Sequence, residues 1–332
     1  MLQYLETGST DPCYNLAFEQ YVLENRKDSD WLILWQNANT VVIGLNQNTE
    51  EEVNRAFVEA HNITVVRRMT GGGAVYHDLG NLNYSFITDA GDTENLSIRR
   101  FTEPVCRALR AMGAEAESAG RNDILVGGKK VSGVAQRIAG KRILHHGTLL
   151  FDSDPEMIAG ALQVDPSKFT SKSAKSVRSR VGMLRDCLPE GTDLQTFWQA
   201  ILRELTPEGM QRASLSEEEL AEIRRIAEER YRSWDWTWGR SPDYAVRRKR
   251  RFDGGSLEVR MDVHQGRIRD IVFYGDFMAM APQTALAASL RGLRLEREEL
   301  EKALAAADLT PVFGSISAGE IASLMLEEGD GK

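Results

Sequence analysis

Three consecutive glycines follow a pair of arginines, where the sequence reads Arg67-Arg68-Met69-Thr70-Gly71-Gly72-Gly73-Ala74-Val75-Tyr76-His77. Successive glycines cost backbone entropy, and they are useful where the chain must adopt a positive φ or let a ligand approach its N–H groups. The two guanidinium groups would add a permanent, bidentate positive charge for a carboxylate or phosphate. The segment therefore predicts an anion-binding loop, and the alternative is a plain turn between two strands.

Two common phosphate-binding motifs are absent from the sequence. A P-loop requires Ser or Thr after its Gly-Lys pair, and Gly128-Lys129 is followed by Lys130. A dinucleotide fingerprint requires a third glycine three residues after Gly73, where this chain has Tyr76. The glycine segment therefore belongs to neither of these classes.

A second group of polar residues lies between positions 122 and 148. Lys130 alternates with Val131 and precedes Ser132-Gly133, so a pocket could form around its ammonium group. An ammonium there would hold a carboxylate or stabilise the negative charge that develops during phosphoryl transfer. A solvated ion pair with a nearby acid is the simpler alternative. Asp123 could bring Mg²⁺, the ion that normally accompanies ATP.

Histidine and cysteine patterns argue against zinc and against a disulfide framework. His145 and His146 are adjacent, so on a strand they would point to opposite faces and would not easily share a metal ion. Cys13, Cys106 and Cys187 are widely spaced and include no C-x-x-C pair. Cys106 lies in a predicted helix next to its apolar face and is expected to have a packing role. Cys187 is a candidate nucleophile because nearby arginines could lower its pKa.

Composition restricts the possible classes of protein. The 332 residues include 41 Lys+Arg and 49 Asp+Glu, and the resulting net charge of −8 disfavours general nucleic-acid binding. The hydrophobic share of 42% is typical of a globular protein. No run of apolar residues is long enough for a membrane span, and the first residues lack the pattern of an export signal. We therefore expect a cytoplasmic protein with no membrane partner.

Alternating short strands and helices must position these residues. A helix is predicted over residues 14–23 with Asp11 as its cap, and another over 97–112, where apolar residues recur at spacings of three and four. Further helices are predicted over 50–60, 194–205, 216–231, 284–291, 295–306 and 318–327. Strands are predicted over 31–35, 40–45, 63–68, 82–87, 123–126, 130–137, 148–151, 245–252, 256–263 and 267–274.

Two domains are expected from the length and from the change of pattern near residues 234–242. Trp234, Trp236 and Trp238 lie at this junction and are expected to be packing anchors. Before it, residues 154–188 are polar and basic and are expected to form a mobile loop that leads to a short helix.

Taken together, these residues resemble the lipoate–protein ligase family over nearly the whole chain. The motifs recur in the family's order: Asp11-Pro12, Trp35-Gln36-Asn37, Arg67 to Asn81, Arg121-Asn122-Asp123, Lys130 to Gly133, His145 to Leu149 and Ser176 to Val181. The part from Trp236 through Gly254-Gly255 resembles the accessory domain of the single-chain ligases. The resemblance implies an α+β fold, with a large mixed-sheet catalytic domain of the biotin/lipoate ligase type over residues 1–235 and a small α+β domain over 236–332.

The activity that this resemblance implies has two steps. Lipoate (or octanoate) and MgATP would give an acyl adenylate and pyrophosphate, and the acyl group would then pass to a lysine of an acceptor protein. The implied acceptors are lipoyl domains of 2-oxoacid dehydrogenase complexes and the glycine-cleavage H protein. By analogy with the family, Lys130 is the catalytic residue and Asp123 lies near the magnesium ion. The implied nucleotide and acyl pocket consists of Arg68, Gly72, Gly73, Ala74, Val75, Tyr76, His77, Lys130 and His146.

Three other functions compete with the ligase interpretation. An octanoyl or lipoyl transferase of the same fold would work through a cysteine thioester without ATP, and it would need Cys187 or Cys13. A biotin–protein ligase would need a Gly-Arg-Gly-type loop that the sequence lacks. A lipoate-binding paralogue without turnover would have no chemical reason to keep Lys130 and Arg68. We also expect the basic segment 168–180 to close over the adenylate.

Overall fold

The computed structural model describes residues 2–91, 98–120, 122–162, 180–239, 246–264 and 266–326. Its strands are Leu2–Glu6 (β1), Trp31–Trp35 (β2), Thr40–Ile43 (β3), Thr64–Arg67 (β4), Val75–His77 (β5), Asn81–Asp89 (β6), Ala116–Ala119 (β7), Asp123–Val126 (β8), Lys129–Ala139 (β9), Arg142–Leu150 (β10), Met210–Arg212 (β11), Val246–Phe252 (β12), Gly255–His264 (β13) and Arg267–Gly275 (β14). Its α-helices are Pro12–Asn25 (α1), Thr49–Glu52 (α2), Arg55–Ala60 (α3), Arg99–Ala111 (α4), Pro155–Ala161 (α5), Leu194–Leu205 (α6), Glu217–Ile226 (α7), Trp234–Thr237 (α8), Thr284–Leu290 (α9), Arg297–Ala305 (α10), Thr310–Phe313 (α11) and Ala318–Leu326 (α12).

Helix caps that the sequence indicates are present in the structure. The Asp11 side chain accepts a hydrogen bond from the Cys13 N–H at 3.0 Å, at the first turn of α1. Ser216 and Glu219 form a reciprocal capping box at the start of α7. Such caps satisfy N–H groups that have no partner inside the helix, which explains why both helices begin where they do.

An eight-stranded sheet forms the centre of the large domain, in the order β11-β1-β2-β6-β10-β9-β8-β7. The strand β1 pairs in parallel with β2 and β11, whereas β6, β10 and β9 pair antiparallel, so the sheet is mixed. One hydrophobic cluster packs α4 and α6 against one face, and a second cluster packs α1 and α7 against the other. The expected α+β class with a large mixed sheet is confirmed.

A smaller sheet carries the glycine segment. Its order is β4-β3-β5, so β4 and β5 both pair with β3 and do not pair with each other. The glycines therefore lie in a connection that passes over the end of β3, and the alternative of a plain turn between neighbouring strands is wrong. The strands β2 and β3, which are adjacent in the chain, belong to different sheets.

The helix expected over residues 50–60 is wrong as a single element. Two short helices, α2 and α3, replace it because Val53 has extended backbone angles (φ −110°, ψ 129°) and forms an isolated bridge with Leu162. Asn54 then caps α3 by accepting a hydrogen bond from the Phe57 N–H at 3.3 Å. The β-branched Val53 thus serves a tertiary pairing that its local helical pattern does not indicate.

The C-terminal part folds around the three-stranded sheet β12-β13-β14, with α9, α10 and α12 in a hydrophobic cluster on one face. It contacts the large domain through backbone hydrogen bonds: Gly275 N–H donates to Asn46 O at 2.7 Å, and Ile138 N–H donates to Met280 O at 2.9 Å. The domain boundary after residue 235 falls inside the short helix α8 and stays a prediction.

The three tryptophans at the junction differ in their environments. Trp236 donates its indole N–H to the Arg67 carbonyl at 2.8 Å, and Trp238 packs under the Arg55 guanidinium. Trp234 has 66% of its surface exposed, so the expectation that all three are packing anchors is wrong for this residue.

Residues 163–179, which include most of the basic segment, lie outside the described residues. In the part of the chain that is described, no helix is long and apolar enough to cross a membrane.

Candidate active site

The glycine segment is held between the two domains. Gly71 and Gly72 donate their N–H groups to the carbonyls of Ala279 and Phe277, both at 3.3 Å. Gly72 has a φ of 86°, which L-residues with a side chain rarely adopt, and a Cβ on Gly71 would lie 2.6 Å from Ala279 N. Two of these glycines are therefore required by backbone conformation and by close packing against the C-terminal domain.

Arg68 fixes the shape of this loop from inside. Its guanidinium donates to the carbonyls of Gly71 at 2.6 Å and Gly73 at 2.8 Å, and also to Val42 O and Thr70 Oγ1. Burial lowers the pKa of Arg68 to about 10, against a smaller opposite effect of Glu19. The group still carries its charge at pH 7, so it places a buried cation beside the loop.

Arg67 has a structural role. It is fully buried, and its guanidinium donates to the carbonyls of Gly44 at 2.8 Å and Gln47 at 2.6 Å. It also donates to Trp236 O at 3.0 Å and Thr237 O at 3.0 Å, at the start of the C-terminal part. Successive residues of an extended chain point to opposite sides, so Arg67 faces the domain junction and Arg68 faces the glycine loop. The expectation that both arginines serve an anion is therefore wrong for Arg67.

Lys130 lies near the start of β9, close to a bulge in its pairing with β8. Its ammonium contacts Asp123 Oδ1 at 2.7 Å, and the two side chains are 36% and 34% exposed. A Cβ on Gly133 would lie 3.0 Å from Lys130 Nζ, so this glycine makes room for the ammonium group. A partly exposed pair of this kind adds little to stability, and the lysine can exchange its partner for a ligand at low cost.

His77 carries a buried hydrogen-bond donor. Asn15 Nδ2 donates to Asn37 Oδ1 at 2.9 Å, which fixes the Asn37 amide so that its Nδ2 donates to His77 Nδ1 at 3.1 Å. The hydrogen-bond network thus assigns the His77 proton to Nε2, an atom that is buried and has no partner among the described residues. Burial lowers the pKa of His77 to about 3, with a further contribution from the Arg68 charge, so the ring is neutral at pH 7.

His146 belongs to a buried chain of hydrogen bonds. Its Nδ1 contacts Glu19 Oε1 at 3.0 Å, and its Nε2 contacts Thr70 Oγ1 at 2.8 Å. Ser85 donates to Glu19, and the Trp35 indole N–H donates to Ser85 Oγ at 2.8 Å. Because Ser85, Glu19, His146 and Thr70 each have two hydrogen-bond partners, the chain fixes His146 and Thr70 beside the glycine loop.

These groups surround one cavity of about 570 Å³, a volume that includes its open mouth. Its lining consists of Leu16, Trp35, Val42, Arg68, Gly73, Ala74, Val75, His77, Asn83, Asn122, Lys130, Gly133, Val134, Ala135, His146, Gly147 and Thr148. Leu16, Trp35, Val42, Val134 and Ala135 are buried, Ala74 and Val75 are half-buried, and Lys130 is partly exposed. The cavity therefore has a largely apolar lining with a cation at its mouth. This shape suits a ligand with an apolar body and an anionic end.

Seven of the residues expected at the site line this cavity: Arg68, Gly73, Ala74, Val75, His77, Lys130 and His146. Three others do not. Tyr76 points to the other side of β5, where its hydroxyl donates to Asn39 Oδ1 at 2.8 Å. Gly72 contacts the C-terminal domain through its N–H. Asp123 contacts the Lys130 ammonium but does not line the cavity.

Several lining residues carry no predicted role. Trp35 and Asn122 lie in motifs shared with the ligase family, and Leu16 lies in the predicted helix 14–23, but neither motif nor periodicity shows that these side chains face a ligand. Asn83 and Thr148 lie on paired strands, β6 and β10, where they are directly opposite each other. Only the alternation of polar and apolar residues along β6 could have indicated Asn83.

The described residues contain no group of three His, Cys, Asp or Glu side chains that could hold a metal ion. Asp123 alone would offer carboxylate oxygens, which suits Mg²⁺ because this ion is commonly bound by one or two carboxylates together with phosphate oxygens and water. The residues therefore fit a magnesium ion that arrives with a nucleotide, and they do not fit a resident metal cage.

The three cysteines, all within the described residues, lie outside the lining of this cavity. Cys13 and Cys106 are buried, and burial raises the pKa of each thiol to about 11. Cys187 is exposed, and its Sγ contacts the Met183 carbonyl at 3.8 Å. A thiolate nucleophile is therefore not positioned at the cavity.

Residues 11–206 match the family model described as "Lipoyl protein ligase A/B catalytic domain", and residues 241–325 match the one described as "Bacterial lipoate protein ligase C-terminus". The chain belongs to the lipoate–protein ligase family. A family member of Staphylococcus aureus named lipoate–protein ligase 1 is 40% identical over 318 residues, which cover 95% of this chain and 97% of that protein. A lipoate–protein ligase of Bacillus subtilis is 40% identical over 325 residues, with 95% and 97% coverage.

Solved structures of the lipoate–protein ligase family show the same fold. A P. falciparum protein solved in complex with lipoate has a TM-score of 0.81 and 22% identity, and the match covers 99% of this chain and 100% of that one. A T. acidophilum protein with bound lipoic acid has a TM-score of 0.63 and 27% identity, and the match covers 72% and 98% of the two chains. A lipoate–protein ligase bound with ATP has a TM-score of 0.60 and 27% identity, with the same coverage.

Proposed function

We propose that this protein is an ATP-dependent lipoate–protein ligase, which activates lipoate as lipoyl-AMP and transfers the lipoyl group to a lysine of an acceptor protein. The observation that carries the proposal is the cavity, because its largely apolar lining and the Lys130 ammonium at its mouth match an acyl chain that ends in a carboxylate. Relatives of similar length carry this name, and related structures hold lipoate or ATP.

The adenylation step joins the carboxylate of lipoate to the α-phosphate of ATP, and pyrophosphate leaves. Charge increases on the oxygens around the phosphorus atom as the new bond forms. Lys130 would stabilise this charge, because its ammonium lies at the mouth of the cavity and is held there by a partner it can exchange. Arg68 would act through the glycine loop, because its guanidinium holds the Gly71 and Gly73 carbonyls and so fixes the loop beside the cavity.

The transfer step forms an amide bond between the acceptor lysine and the lipoyl carbonyl carbon, and AMP leaves. The acceptor lysine attacks as the neutral amine after losing its proton to solvent, and the bond between the carbonyl carbon and the phosphate oxygen breaks as AMP leaves. Lys130 would again face the developing oxyanion, and the walls of the cavity would exclude water, which would otherwise hydrolyse the mixed anhydride. A magnesium ion would neutralise phosphate charge when bound, and Asp123 would supply it with one carboxylate.

His77 favours lipoate over octanoate as the acyl substrate. The His77 side chain lines the cavity, and its buried Nε2–H has no partner among the described residues. A sulfur atom of the dithiolane ring would accept this hydrogen bond weakly, whereas the methyl end of octanoate would leave the donor unsatisfied. We therefore propose lipoate as the preferred substrate, with octanoate as a weaker one.

Lipoyl domains are the acceptors that the relatives support. A T. acidophilum structure, 29% identical and with a TM-score of 0.64, is titled as a bipartite lipoate protein ligase and its E2 lipoyl domain. For this chain we propose the lipoyl domains of 2-oxoacid dehydrogenase complexes and the glycine-cleavage H protein. A cytoplasmic location stays a prediction from the sequence.

The experiment that tests the proposal is modification of a recombinant lipoyl domain, followed by mass spectrometry. We expect the lipoyl group on one lysine only when lipoate, ATP and Mg²⁺ are all present. Transfer from an octanoylated carrier protein without ATP would establish the cysteine-dependent transferase instead. A double variant with Cys13→Ala and Cys187→Ala distinguishes the two reactions, since it would abolish that transfer and leave ATP-dependent modification unchanged.

A further inference from the structure

Five basic residues follow one another on an outer strand of the C-terminal domain, where the sequence reads Arg247-Arg248-Lys249-Arg250-Arg251. They form most of β12, which pairs with β13 on one side and with no other strand in the described parts of the chain. Four of the five are exposed, and Arg248 is half-buried. The protein as a whole has a net charge of −8, so this strand is a local positive surface on an acidic protein.

The run is longer than protection of a sheet edge requires. A single charged residue usually suffices to keep an edge strand from pairing with another chain. Arg247 already has a role in the fold, because it contacts Glu51 of the large domain and Glu258 of β13, both at 2.8 Å. Side chains alternate along a strand, so Lys249 and Arg251 continue on the face that Arg247 occupies, towards the other end of the strand.

That end of the strand leads to the cavity. A Cβ on Gly73, which lines the cavity, would lie 4.0 Å from the Cβ of Asp276. Asp276 Oδ1 accepts a hydrogen bond from the Ser256 N–H at 2.6 Å, and Ser256 is the partner of Arg251 in the β12–β13 register. Since neighbouring strands are about 4.8 Å apart, two strand spacings place the Arg251 backbone about 10 Å from the strand end beside Gly73.

We propose that the β12 face carrying Lys249 and Arg251 is a docking surface for an acidic patch on the acceptor protein. The inference rests on the proposed function, which requires one macromolecule to bring a lysine to this cavity. Arg247, on the same face, is already paired with Glu51 and Glu258, so the basic surface beyond it is short and ends with Arg251. A short basic surface is complementary to an acidic patch of limited size on a protein.

The test compares two double variants with the same loss of charge. Lys249→Gln with Arg251→Gln removes two positive charges from the docking surface. Arg294→Gln with Arg297→Gln is the matched control, because these side chains are 54% and 57% exposed in the same domain. Arg297 begins α10, which packs on the opposite face of the sheet.

We expect the first double variant to raise the KM for a recombinant lipoyl domain with an acidic surface about fivefold, and to leave kcat nearly unchanged. The wild-type KM should also rise with salt concentration more steeply than that of the variant, because salt screens the attraction that the variant lacks. Lipoate-dependent exchange of pyrophosphate into ATP, which needs no acceptor, should keep its rate in both variants.

Three results would overturn the proposal. The first is an acceptor KM that is the same in the docking-surface variant and the control. The second is a raised KM for ATP in the exchange assay, which would assign the face to the phosphates of the nucleotide. The third is binding of a single-stranded RNA oligonucleotide that only the docking-surface variant loses, with no change in acceptor KM. If the wild type showed no exchange, the proposed function would fail. Docking would still be tested on its own by titrating the lipoyl domain into wild type and variant and comparing the two binding affinities.

Discussion

At the scale of single residues, neighbouring side chains of the same type have different roles. Arg67 and Arg68 are adjacent, yet the first holds the junction between domains and the second holds the glycine loop. His145 and His146 likewise point to opposite faces of β10, and only His146 lines the cavity. Strand alternation makes such pairs expected, but the sequence does not say which member of a pair faces the ligand.

His77 supplies a prediction about substrate preference. In His77→Phe the unpartnered Nε2–H is lost while an aromatic ring remains, so the penalty against octanoate disappears. We expect the ratio of kcat/KM for lipoate over octanoate to fall about threefold to tenfold, a change that corresponds to one weak hydrogen bond. Steady-state kinetics with the two acids would measure this ratio, and an unchanged ratio would show that His77 does not sense the end of the acyl chain.

The buried histidines supply a prediction about pH and stability. Burial lowers the pKa of both His77 and His145 to about 3, so the folded protein keeps them neutral, whereas the unfolded chain protonates them below a pH of about 6.5. Stability is therefore full above pH 6.5 and falls as the pH decreases towards 3. Each histidine adds up to about 1.4 kcal/mol per pH unit to this loss. Urea unfolding at several pH values should show a shallower acid slope in His145→Gln than in wild type, and equal slopes would contradict the assignment.

At the scale of elements, the cavity depends on close backbone contacts that local sequence patterns do not reveal. The strands, the long helices and their caps are predictable because apolar periodicity and capping residues are local signals. The path of the glycine segment over the end of β3 is not predictable from the sequence, because it depends on which strands pair across the molecule. The break between α2 and α3 is missed for the same reason, since Val53 bridges to Leu162.

Substitution of Gly44 would test how tightly the end of β3 packs against the glycine loop. A Cβ there would lie 2.0 Å from the Gly72 carbonyl oxygen, so Gly44→Ala must displace the loop or the end of β3. We expect it to lower the free energy of unfolding by about 2 kcal/mol and to raise the KM for ATP. Gly319→Ala is the control, because nothing lies within 4 Å of its Cβ position in helix α12, and it should be neutral or stabilising. Equal effects of the two substitutions in urea unfolding would contradict this account.

At the scale of the whole molecule, the C-terminal domain supports the glycine loop of the active site, although none of its described residues lines the cavity. Carbonyl groups of Phe277 and Ala279 accept hydrogen bonds from the glycine loop, and Arg260 contacts Glu51 across the interface at 2.6 Å. The sequence predicts two domains, but it does not predict this contact, because residues far apart in the chain form it. The position of the second domain therefore controls the conformation of the loop in the first.

The interface can be weakened without a change at the cavity. Glu51→Gln removes a negative charge that contacts both Arg260 and Arg247. We expect a loss of about 1 kcal/mol in the free energy of unfolding and faster hydrogen exchange in the glycine loop, whose N–H groups depend on the interface. Glu59→Gln breaks an exposed ion pair with Arg55 and should change neither quantity. Unchanged exchange in Glu51→Gln would show that the interface does not hold the loop.

We infer that this chain makes an acyl adenylate with Lys130 at the reacting phosphate. The most direct measurement is lipoate-dependent exchange of labelled pyrophosphate into ATP, in wild type, Lys130→Ala and Lys129→Ala. Lys129 is the matched control because it is exposed and does not line the cavity. We predict exchange in wild type and Lys129→Ala, and a loss of at least about 100-fold in Lys130→Ala, as expected for removal of a group that stabilises a transition-state charge. Absence of exchange in wild type, or full exchange in Lys130→Ala, would contradict the account.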